Sequence, residues 1–149
     1  MPRRYVAELQ RLQRDAAANY LLLQRLWQAP ESGRVRYGLR HHGRDLGWFS
    51  VERREATRWT ELLELCLQVE TGFQGIKPAQ LQVRSYHDVR LTEVVAFQKK
   101  QAREGRYDYP NEAMFHPDEK VQVNSFLSEL LRFVLDKGYS LEVELSHDF

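Results

Sequence analysis

Between Arg4 and Gln28 the apolar residues Tyr5, Leu9, Leu12, Ala16, Leu23 and Leu26 recur at steps of three and four, with Asn19 completing the pattern. That spacing keeps a stripe on one side of an α-helix. Tyr20 and Trp27 widen the stripe, which suits a helix laid on a sheet better than the narrow seam of a coiled coil. Asn19 falls inside the stripe, so its amide needs a partner, and a neighbouring backbone group is the expected one. Pro30 and Gly33 cannot extend the helix, which therefore ends near Ala29.

Beyond this point the period drops from near four to two, the rhythm of strands. Residues 34–41 set Val35, Tyr37 and Leu39 against Arg34, Arg36 and Arg40, with Gly38 a weak point. His41 to Asp45 form a hairpin loop and residues 46–52 return. Residues 60–70 set Leu63, Leu65, Leu67 and Val69 against Glu64, Cys66, Gln68 and Glu70. Leu and Glu favour helices, but strict alternation argues for a pleated strand buried on one face. Gly72, Gly75 and Pro78 mark a loop, and residues 80–87 and 90–97 pair around Asp88 and Val89.

Residues 98–116 lack a period and form a long connection, a place where function often resides. Pro117 then opens a second helix, with Asp118 and Glu119 complementing the positive end of its dipole. Val123, Phe126, Leu127, Leu130, Phe133 and Val134 make its buried face, Gly138 stops it, and residues 139–145 alternate as a final edge strand. The chain thus reads as a single α+β domain over residues 1–149. It is an antiparallel meander of five or six strands packed against an N-terminal and a C-terminal helix.

Composition narrows the setting. A chain of 149 residues buries enough surface to fold without staples, and its one cysteine, Cys66, permits no internal disulfide. The first residues are charged, unlike a secretory signal, and no apolar run has membrane-spanning length, so the cytoplasm is the expected compartment. The net charge is +1, yet residues 1–58 hold 12 Arg against 6 acids while the remainder holds 10 basic and 15 acidic residues. The arginines are mixed with acids over a helix and two strands, which disfavours nucleic acid as a partner and leaves opposite poles suited to a homodimer.

The chemistry concentrates in two places. In RYDYPN, extended backbone puts Arg106 and Asp108 on one side and Tyr107 and Tyr109 on the other. This makes either a ligand-facing wall for a small anion or a protein, or a structural loop pinned by its own ion pair and hydroxyls. In Tyr86-His87-Asp88, His87 is a candidate general acid or base. Asp88 faces away from it, so a partner must come from Glu93, Asp108, Asp118 or Glu119. A satisfied structural histidine is the competing account. No phosphate loop, nucleophile elbow or zinc spacing is present, no metal or other cofactor is indicated, and Cys66 reads as a small buried hydrophobe.

RYDYPN, followed by Asp118-Glu119-Lys120, Asn124 and Phe126-Leu127, resembles the YqiB-like family of uncharacterised bacterial proteins. Tyr86-His87-Asp88 with Glu93 and Val94, and Asn19-Tyr20 with Leu23 and Leu26, extend the match in the same order. The resemblance implies a small cytosolic protein with no established activity and no assigned catalytic residues. Two functions stay open. One is a non-catalytic binding or regulatory module using RYDYPN and the adjacent strand end, with Tyr86, His87, Asp88, Arg106, Tyr107, Asp108, Tyr109, Asn111, Asp118, Lys120 and Asn124 as its surface. The other is a small hydrolase or nucleotide-processing enzyme in which His87 works with Asp108 and Glu119.

Overall fold

A computed structural model of the chain describes residues 3–69, 76–100, 107–108 and 117–141. Helix α1, Arg3–Leu26, ends where the Trp27 amide donates to the Leu23 carbonyl at 2.8 Å and Ala29 enters the left-handed region at φ 47°. The strands β1 (Arg34–His41), β2 (Arg44–Ala56), β3 (Thr60–Val69), β4 (Ala79–Tyr86) and β5 (Leu91–Lys100) follow. The two-residue strand β6, Tyr107–Asp108, precedes helix α2, Pro117–Lys137, and β7, Gly138–Ser140, comes last.

Every pairing is antiparallel and the sheet order is β6-β5-β4-β3-β2-β1-β7, a five-strand meander extended by a short strand at each edge. The first hairpin is tighter than its sequence suggests, because His41 pairs with Arg44 and only His42 and Gly43 turn. Both have positive φ, 50° and 77°, as a type I′ turn requires. At Gly47 the bulged β2 runs against β3 with φ 143°, and a Cβ there would collide with the Gln68 carbonyl. Of the expected final strand, Gly138–Ser140 pairs with β1, and residues 142–145 lie outside the described residues.

Both helices cover one face of the sheet. Leu23 and Leu26 of α1, Trp27 just after it, and Leu127, Leu130, Leu131 and Val134 of α2 form one core with Val35, Leu39, Phe49, Val51, Leu63, Leu65, Leu67, Leu81, Val83 and Val94. The other face carries Arg36, Trp48, Ser50, Cys66, Gln68, Gln80 and Gln82, and none of these seven is buried. Cys66 is half-buried there, and burial pushes its thiol up from the ordinary value. The stripe of α1 is buried only in its second half. Val6 and Leu9 are exposed, since the tight contacts with α2 and the sheet begin beyond them.

Three buried polar residues lock the helices. Asn19 donates to the Asn124 carbonyl at 3.0 Å and accepts from the Ser128 hydroxyl at 2.6 Å. The Asn124 side chain accepts the Val94 amide of β5 at 3.0 Å and donates to the Lys120 carbonyl at 2.8 Å. Asn19 thus does find a backbone partner, on α2, and Asn124 is a structural link between α2 and the sheet.

Candidate functional site

β3 enters the sheet through Glu61, which shares the helix-covered face with Leu63, Leu65 and Leu67. A carboxylate at 7% exposure on an apolar face is costly unless it is paired, and Glu61 is paired three times. Trp27, just past the end of α1, donates from Nε1 to Oε2 at 3.1 Å, Arg53 of β2 from Nε to Oε2 at 3.1 Å, and His87 meets Oε1 through Nε2 at 2.8 Å. Burial pushes the Glu61 carboxyl up, but the hydrogen bonds from Trp27, Arg53 and His87 and the His87 charge outweigh it. The carboxyl is held below its ordinary value, and the group stays ionised.

The second ring nitrogen of His87 is also engaged. Nδ1 lies 2.9 Å from the Tyr20 hydroxyl, whose ring meets the imidazole edge-on at 5.7 Å. With Glu61 ionised, Nε2 donates to the carboxylate, and Nδ1 shares a hydrogen bond with the Tyr20 hydroxyl. The His87 amide donates to the Trp59 carbonyl at 2.8 Å, so the β4–β5 turn is held by backbone as well. Tyr20 lies in the last two turns of α1 and Trp27 directly follows the helix, so the end of α1 clamps both ends of the relay. The relay joins α1, β2, β3 and the turn after β4. The row of polar groups continues across the sheet to Ser85 and Thr92, whose buried hydroxyls meet at 2.7 Å.

The partner of His87 is therefore Glu61, which the sequence analysis did not name. Glu93 accepts instead from the Tyr86 hydroxyl at 3.2 Å and pairs with Lys120 at 3.6 Å. Asp88 is exposed in the turn, and Glu119 is exposed at the start of α2. Tyr107 and Asp108 pair with Lys100 and Lys99, at the far end of β5 from His87. The eight steps from Leu91 to Lys99 span about 26 Å of strand. Arg106, Tyr109 and Asn111 lie outside the described residues, as do the side chains of Tyr107, Asp108 and Asp118. Glu61 carried a readable signal, since the alternation that buries Leu63, Leu65 and Leu67 also turns it inward, and Arg53 stands in the same phase as Phe49 and Val51. Among the described residues, no three His, Cys, Asp or Glu side chains are grouped as metal ligands, and no helix is long and apolar enough to cross a membrane.

The chain is similar to the uncharacterized protein YqiB of Escherichia coli K12, with 37% identity over 84 residues, 56% of this chain and 59% of that protein. The YqiB proteins of the O6:H1 and O157:H7 strains match to the same extent. The chain thus spans about 59% of the length of these curated relatives. No solved structure matches it. A family of proteins of unknown function, DUF1249, matches residues 22–140, a span that holds Glu61, His87 and both ends of the sheet, and the chain belongs to that family.

Proposed function

We propose that the chain is a small, cytosolic, non-catalytic binding or regulatory module, presenting RYDYPN at the β5 edge of the sheet to a protein or small anionic ligand. One observation carries this reading. Both ring nitrogens of His87 are engaged, one by Tyr20 and one by Glu61, and those two residues are 7% exposed each. A general base must come within hydrogen-bond reach of the substrate proton, and the nitrogen not bound to Glu61 is taken by a tyrosine hydroxyl that is itself buried. Here the best acid–base group of the chain ties α1 to the sheet.

The test is a screen of chromogenic phosphoester and carboxylester substrates on wild type and His87→Gln, with melting curves of both. The expected result is no turnover above background and a lower Tm for His87→Gln. Turnover that vanishes in His87→Gln at an unchanged Tm would support the hydrolase instead. On this reading Arg106→Ala and Tyr109→Ala are expected to weaken capture of the partner or ligand while leaving Tm within a degree or two of wild type. A collapse of Tm in either would make RYDYPN a structural pin.

A further inference from the structure

The sheet face opposite the two helices holds a feature remote from His87. Arg34, Arg36, Gly38 and Arg40 follow each other on one side of β1, opposite Glu52, Ser50, Trp48 and Asp45 of β2. Between these rows and β7 runs a groove of 580 Å³ lined by Arg34, Arg36, Asp45, Trp48, Tyr139 and Leu141. An adjoining hollow of 230 Å³ shares Arg34, Arg36 and Trp48. Gly38 is the seat of this groove, because a Cβ there would run into the Tyr139 ring. The position that weakens β1 as a strand is what admits the phenol to the sheet surface.

Its chemistry is specific. The Arg36 guanidinium lies over the Trp48 indole at 4.0 Å, and that of Arg40 over the Tyr139 ring at 4.3 Å. Stacking holds a guanidinium in place while leaving its N–H edge free for an oxyanion. Among the described residues neither Arg34 nor Arg36 is in an ion pair, whereas Arg40 is paired with Asp45 at 3.7 Å and Glu52 with Arg54 at 3.6 Å. Two guanidiniums outside these ion pairs, on strand positions about 6.6 Å apart along the backbone, suit one phosphate group. The Trp48 and Tyr139 rings stand beside them, apolar surface that an inorganic anion leaves uncovered and a planar base covers. The acids set the limit. Asp45 and Glu52 stand toward the two ends of the arginine row and repel any phosphate beyond the first, which opposes a polynucleotide.

We propose that this groove binds a nucleoside monophosphate, its phosphate on Arg34 and Arg36 and its base against the Trp48 and Tyr139 rings. The assignment concerns the β1 edge of the sheet and is independent of the reading of RYDYPN at the β5 edge.

Calorimetric titration of the full chain with adenosine, guanosine, cytidine and uridine monophosphates tests it, with adenosine, inorganic phosphate and single-stranded oligoadenylate as comparisons. At least one monophosphate is expected to bind saturably. Its affinity is expected to fall about tenfold or more in Arg36→Gln, the loss of a hydrogen bond to a charged group, and comparably in Trp48→Ala, the loss of a stacked ring. Both side chains face away from the core, and Arg36→Gln keeps the chain folded if Trp48→Ala does not. No saturable binding by any monophosphate, or binding unchanged in Arg36→Gln, overturns the proposal. Inorganic phosphate binding as tightly as the nucleotide overturns it too, as does binding of oligoadenylate alone.

Discussion

A carboxylate held ionised in an apolar face makes stability depend on pH. Glu61 has its folded pKa lowered, so its contribution is fully present above the ordinary carboxylate range and is lost as pH falls through the lowered folded value. Urea titrations over a pH series should show Glu61→Gln less stable than wild type by about 1–3 kcal/mol at neutral pH, the cost of disturbing a buried hydrogen-bonded group. The gap should close in acid. A gap that stays constant through the acid range would mean that Glu61 is not ionised in the fold. At this scale the sequence was legible where a residue obeyed its element, and His87 stood out by its chemistry. Its partner did not, because Glu61 is 26 residues away in the chain and joins His87 only when β3 pairs with β4.

The elements were legible because burial imposes a period. Residues 60–69 pleat as their alternation requires, and Leu67 is fully buried, so Leu67→Ala should cost about 2–5 kcal/mol in chemical denaturation. A loss below about 1 kcal/mol would show that the strand does not face the core as described. The link between elements is polar. Asn124→Ala removes the acceptor of the buried Val94 amide and should cost about 1–3 kcal/mol, while Gln122→Ala, one helix face away and exposed, should cost almost nothing. Equal losses for the two would remove Asn124 from the helix–sheet link. Asn124 stood among the binding residues because it belongs to the motif that carries the family resemblance, and a motif position does not tell a site residue from a structural one. Only the approach of α2 to β5 decides between them.

Across the molecule the sheet separates two surfaces with different tasks. The helix-covered side is sealed by the leucine core and, at one end, by the relay from Tyr20 through His87 and Glu61 to Trp27 and Arg53. Among the described residues, the other side carries Arg34 and Arg36 beside the Trp48 and Tyr139 rings. The uneven charge of the sequence foreshadowed this, but which arginines share a face followed only from strand register. Arg53 turned inward to Glu61, while Arg34 and Arg36 turned outward. The central claim is that His87 acts as a tie between helix and sheet rather than as a reagent. Unfolding free energies of His87→Ala, Glu61→Ala and the double variant test it most directly. The account predicts that the two losses do not add, with a coupling of about 1–3 kcal/mol between the sites. Losses that add to within about 0.5 kcal/mol would contradict it.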